Sequence, residues 1–71
     1  SLTYNTHSNE DIFIYKFKKN QPYKVDSSKN TQNHYFEIDA PLPELYLIGS
    51  SLNESLLFIA ENKLQNSITK N

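Results

Sequence analysis

The sequence predicts an α+β domain, a small antiparallel, barrel-like sheet of about four or five strands closed by a C-terminal α-helix. Three observations carry the prediction. Asp11 to Lys19 is a β-branched and aromatic run, Ile12-Phe-Ile-Tyr-Lys-Phe17, the clearest strand in the chain. Shorter apolar alternations follow it, separated by turn chemistry. Near the C-terminus, Ser51-Leu-Asn-Glu54 has the form of a capping box, in which the Ser51 hydroxyl accepts from the Glu54 N–H and Glu54 reaches back. Beyond it Leu52, Leu56, Ile59, Ala60, Leu64 and Ile68 recur at spacings of three and four, the helical period. The expected helix runs from Leu52 to about Asn66, burying Leu56, Ala60 and Leu64.

Taken in order, Ser1–Asn5 alternates weakly, as the tail of a strand, and His7–Asp11 is polar turn sequence. In the strand Asp11–Lys19, Phe13, Tyr15 and Phe17 share one face and Ile12, Ile14, Lys16 and Lys18 the other. The aromatic side is the expected core face. Asn20-Gln-Pro22 turns the chain into a short strand, Tyr23–Val25, with Pro22 at its start or on an edge because proline donates nothing to a ladder. Asp26–Asn33 has no apolar residue and reads as a polar loop, after which Tyr35–Asp39 resumes the strand pattern. Pro41 and Pro43 hold the next segment extended. Leu45–Ile48 suits a buried strand better than the alternative, a one-turn helix between Pro43 and Gly49. Ser55–Ala60 is also ambiguous between helix and hairpin strand; the capping box and the continued stripe favour helix.

Length and composition bound the function. Seventy-one residues hold one domain with a small core. The absence of Cys excludes disulfides and thiolate metal sites. No apolar run approaches the ~18 residues of a membrane span, and no signal peptide is visible. The expected setting is cytoplasmic, with peripheral membrane contact at most. The net charge of −1 conceals an asymmetry: residues 1–36 carry an excess of Lys, residues 37–71 an excess of acid. Every basic residue is Lys, so bidentate guanidinium recognition of phosphate or guanine is missing, and specific nucleic-acid binding is not expected.

Leu45-Tyr-Leu-Ile-Gly-Ser-Ser51, followed by Glu54 to Ile68, resembles the C-terminal end of a pleckstrin-homology (PH) domain, where a strand runs into a capped helix that plugs a small barrel. His34-Tyr-Phe-Glu-Ile-Asp39 resembles the strand before it. Asp11–Lys16 and Pro22–Asp26 resemble the third and fourth strands. The family helix usually carries an inward Trp; this chain has none, leaving Leu57 or Phe58 to stand in. The first strand and its basic, phosphoinositide-gripping loop have no counterpart. The resemblance implies a single PH-like domain across residues 1–71, whole or part of a split one. It further implies a lipid-binding mouth beside the strands that bear Lys16 and Lys24.

Neither His7 nor His34 stands near a nucleophile motif, and both fall in polar stretches, so exposed loop histidines are expected and no catalytic residue, metal ligand or cofactor. Lys16, Lys18, Lys19 and Lys24 are the candidate site for an anionic headgroup, each worth about 1 kcal/mol near a charged leaflet. The competing reading makes them solvated lysines that discourage edge pairing. Phe58, pointing away from the expected helical stripe, is the candidate partner contact. The function expected is a non-catalytic module that recruits its parent protein to anionic membranes or phosphoinositides, or to a protein partner. The alternative is a protein-interaction or structural scaffold that binds no lipid. Because the strand Asp11–Lys19 is apolar on both faces, an additional segment or a second copy is expected to cover the sheet near Leu2–Tyr4.

Overall fold

The computed structural model describes residues 1–29, 32–62 and 66–70. Among them run seven strands: β1 Leu2–Ser8, β2 Ile12–Lys18, β3 Gln21–Ser28, β4 Gln32–Ile38, β5 Glu44–Gly49, β6 Ser55–Ala60 and β7 Asn66–Lys70. They form a three-stranded sheet, β4-β1-β7, and a four-stranded sheet, β3-β2-β5-β6. Every pairing is antiparallel except that of β1 with β7. The sheets pack face to face in a slab of 31 × 29 × 15 Å, and neither closes on itself. The fold is all-β, and the expected α+β barrel closed by a C-terminal helix is overturned.

Alternation along each strand builds the core. Leu2, Tyr4, Phe36 and Ile38 face inwards from the three-stranded sheet, against Ile12, Ile14, Tyr46, Ile48 and Ala60 of the other. Phe58 packs at the margin of this cluster, its ring stacked 6.4 Å from Tyr4 and 6.1 Å from Tyr46. Buried Ala40 is tied to the end of β6 by Asn62, whose N–H donates to the Ala40 carbonyl at 2.8 Å and whose Oδ1 accepts from the Ala40 N–H at 2.8 Å. The Asn62 amide also donates to Asp39, so one side chain joins the two sheets at this end.

The expected helix is instead a hairpin. β5 and β6 pair from Glu44↔Ala60 to Gly49↔Ser55, across the loop Ser50–Glu54. The capping interaction survives in part: the Glu54 N–H donates to Ser51 Oγ at 3.2 Å. There it closes a turn, since this contact requires only four residues of turn geometry. Ser55 Oγ donates to the Leu52 carbonyl at 2.9 Å and tightens the same corner. Gly49 makes the corner possible, because a Cβ there would lie 2.1 Å from the Glu54 carbonyl oxygen. The remainder of the expected stripe divides. Leu56, Phe58 and Ala60 alternate on the inner side of β6, and Ile68 reaches the core from β7. Leu64, expected to be buried, lies outside the described residues.

The inner face of β2 is also reversed from expectation. Ile12 and Ile14 enter the core, whereas Tyr15, although only 7% exposed, is absent from that cluster and shares the outer face with Phe13. β5 is a strand, as the four apolar residues Leu45–Ile48 suggest, and Pro22 stands on edge strand β3. The expected polar loop Asp26–Asn33 is largely strand, because β3 continues to Ser28 and β4 begins at Gln32. Nor is the sheet open at Leu2–Tyr4: β1 is central, with β4 on one side and β7 on the other.

Three outcomes test this packing. Phe58→Ala should cost about 3 kcal/mol as a core truncation, while Leu57→Ala, on the other face, should stay within about 1 kcal/mol in urea melts. Lys19 and Asn20 form the two-residue β2–β3 turn with φ of 53° and 65°. Lysine is poorly suited to that left-handed region and asparagine well suited, so Lys19→Asn should stabilise the domain by about 0.5–1 kcal/mol. Burial raises the Tyr4 phenol above its ordinary value of 10.0, against a smaller lowering from its hydrogen bond to Thr6. The unfolded chain therefore releases this proton at lower pH than the folded one, and stability falls as pH rises above about 10. Tyr4→Phe should flatten that alkaline loss in melts followed across the same range.

Candidate functional site: the outer face of the four-stranded sheet

The two sheets turn very different surfaces to solvent. The outer positions of the three-stranded sheet are Thr3, Asn5 and His7 on β1, Asn33, Tyr35 and Glu37 on β4, and Ser67 and Thr69 on β7. All can hydrogen-bond, and the Tyr35 hydroxyl donates to Glu37 Oε1 at 3.2 Å. On the four-stranded sheet the outer positions are Phe13, Tyr15 and Phe17 on β2, Leu45 and Leu47 on β5, and Leu57 and Ile59 on β6. Cross-strand register aligns them in rows, Lys24–Tyr15–Leu47–Leu57 across the middle and Leu45–Ile59 below. Exposure rises towards the β6 edge: Leu45 is 40% exposed, Leu57 56% and Ile59 68%. This sheet is thus apolar on both faces, the pattern of a sheet covered on both sides. Grouped exposed apolar side chains of this kind mark interaction surfaces, unlike scattered ones.

The lysines do not form one cluster. Lys16 lies on the inner side of β2, its Nζ 3.3 Å from Glu44 Oε2 and 5.5 Å from the centre of the Tyr46 ring. Glu44 chiefly holds its ammonium above the ordinary value, opposed by desolvation and aided by Tyr46. Lys24 is on the outer face, its Nζ 4.0 Å above the Phe13 ring. Lys18 and Lys19 are exposed at the hairpin tip. The four residues are therefore divided between both faces and the turn, and two of them already have partners. Phe58 points inwards to the Tyr4–Tyr46 stack, so the outward aromatic contact expected there is replaced by Leu57 and Ile59.

His34 is not a loop residue. It is 2% exposed, on the inner side of β4. Its Nε2 lies 3.1 Å from the Ser8 carbonyl, which can only accept, so Nε2 donates there; Nδ1 lies 2.7 Å from Ser28 Oγ, a hydroxyl that pairs with it. The ring links the ends of three strands. Counting back by twos from Ile38 and Phe36 reaches His34, and that period was the signal in the sequence. His7 stands exposed beside a polar-mouthed cleft of about 340 Å³ at the end of the sandwich, walled by Thr6, Ser8, Ser50 and Asn53 with Ile12 and Ile48 below.

Among the described residues no group of three His, Cys, Asp or Glu side chains is placed to hold a metal ion. No helix among them is long and apolar enough to cross a membrane. No family model, no curated protein and no solved structure matches the chain.

Proposed function

We propose that this chain is a non-catalytic protein-docking domain that presents the outer face of its four-stranded sheet to an apolar surface of a partner protein. One observation carries the reading: Leu45, Leu57 and Ile59 stand exposed on a sheet that is apolar on both sides, while the other sheet faces water with polar residues. Charge favours a protein over an anionic membrane. Between Lys29 and Lys63 the sequence has no Lys or Arg and five acidic residues, Glu37, Asp39, Glu44, Glu54 and Glu61. Of these, Glu54 and Glu61 bracket β6, which exposes Leu57 and Ile59, so an anionic leaflet would meet acid at both ends of that strand.

A membrane reading has one supporting observation, the exposed Lys18 and Lys19 at the hairpin tip beside Phe17. One comparison separates the two readings. The triple variant Leu45→Thr, Leu57→Thr, Ile59→Thr keeps β-branched or polar side chains that suit a strand. It should fold with stability within about 1 kcal/mol of wild type and lose most binding of an apolar fluorescent dye. Vesicles containing phosphatidylserine and a phosphoinositide should not co-sediment with wild type, even at low salt. Co-sedimentation abolished by changing Lys16, Lys18, Lys19 and Lys24 together to Gln would install the membrane reading instead. A triple variant that loses several kcal/mol would show that the face serves folding, and would overturn both.

A further inference from the structure

The four-stranded sheet has two edges that are treated differently. β3 carries Pro22, Lys24 and Asp26 and a bulge at Val25, where the register passes from Ile14↔Asp26 to Tyr15↔Lys24. Each of these discourages pairing with another strand. β6 has the sequence Ser-Leu-Leu-Phe-Ile-Ala, with no charge, no proline and an unbroken register against β5. Among the described residues no strand pairs with its far side.

Ladder alternation determines which backbone groups of β6 are unpaired. A two-residue turn closes on a hydrogen-bonded pair, here Lys18↔Gln21, so Lys16↔Tyr23 is bonded as well. Phe17 and Tyr15 therefore direct their N–H and C=O towards β5. The Pro22 nitrogen faces solvent, as its missing N–H requires. The same alternation makes Tyr15↔Leu47 a bonded pair, and then Tyr46↔Phe58 and Ile48↔Leu56. What remains is a free edge formed by the backbone of Ser55, Leu57 and Ile59. The unpaired amides thus belong to the same residues, Leu57 and Ile59, that expose the apolar side chains.

We infer that β6 accepts an extended segment of a partner protein as a fifth strand, one with alternating apolar residues and lysine or arginine at its ends. The inference rests on the docking reading above and names the partner's chemistry. A second copy is the poorer occupant. Antiparallel self-pairing of β6 near its centre brings Glu54 of each copy to within about one residue of Glu61 of the other, at both ends of the ladder. A strand with basic ends meets those two carboxylates with opposite charge instead.

The probes are two short fluorescein-labelled peptides with the same alternating valine–threonine centre, one ended by lysines and its twin by glutamates. Wild type should bind the lysine-ended peptide at least about tenfold more tightly, with the difference shrinking as salt rises. Ile59→Pro removes an outward N–H that β5 does not use, and should abolish binding. Ile59→Thr keeps that N–H and should retain binding with a modest loss. If Ile59→Pro does not fold, amide exchange in wild type decides the matter: the Leu57 and Ile59 amides should exchange quickly alone and become protected with the peptide. Equal binding of both peptides, no protection at these two amides, or sedimentation as a dimer joined through β6 would overturn the inference. None of those outcomes touches the dye and stability results for the triple threonine variant, so the docking reading stands or falls separately.

Discussion

The structure depends on the contact between its two sheets, where Tyr4, Phe36 and Tyr46 are buried together with Leu2, Ile12, Ile14, Ile38 and Ile48. Phe58 stacks on Tyr4 of the facing sheet and on Tyr46 of its own, and so couples the β6 edge to the core. A domain of this size buries only about 60% of its unfolded surface, leaving little redundancy. The ends are therefore fastened by polar groups that face in and are satisfied there. His34 bridges Ser8 and Ser28 at one end, and Asn62 holds Ala40 and Asp39 at the other. The buried groups among them, the His34 ring and the Ala40 backbone, thereby have partners.

The same core explains the uneven outer faces. β2 is central in its sheet, and its sequence places Ile12 and Ile14 inwards and Phe13, Tyr15 and Phe17 outwards. Tyr15 is nearly covered by its row neighbours Lys24 and Leu47, and Lys24 shields Phe13, so the β3 side of the face is partly protected within the chain. Among the described residues no such cover extends to the β6 side, where Ile59 reaches 68% exposure. The apolar face is thus graded, shielded at the guarded edge and open at the unguarded one.

The parts of this fold that were legible in the sequence are those where one face differs from the other or where length decides. Leu45–Ile48 is too short for an apolar helix, and Asp11–Lys19 is too rich in β-branched and aromatic residues to be anything but strand. Ser55–Ala60 was not legible in the same way. When every residue in a run is apolar, spacings of two, three and four are all satisfied, and periodicity has no information. The Ser51-Leu-Asn-Glu54 pattern then favours a helix start, although the hydrogen bond it makes, Glu54 N–H to Ser51 Oγ, equally closes a tight turn. The inner face of β2 failed for a related reason: both its faces are apolar, and only the partner sheet determines which is covered first. The lysines illustrate the opposite limit. Their alternation placed Lys16 and Lys18 together, but the bulge at Val25 and the acid at Glu44 belong to other strands and could not be read from β2.

Magnitudes favour binding as the use of the open face. Fully burying a leucine or isoleucine side chain is worth about 1.5–3 kcal/mol. Covering the exposed parts of Leu45, Leu57 and Ile59 would thus release several kcal/mol, a large fraction of the ~5–15 kcal/mol by which a domain is stable. That same free energy also makes the surface hazardous, because any apolar strand could compete for it. On β3 the hazard is met by Pro22, Lys24, Asp26 and the bulge. On β6 only the carboxylates at its two ends restrict what can pair, and they act by charge alone. Repulsion of that kind discriminates among strands without blocking the edge. An edge that needed only to be protected would carry a lysine or a proline at Leu57 or Ile59, where the backbone amides face outwards and no core contact would be lost.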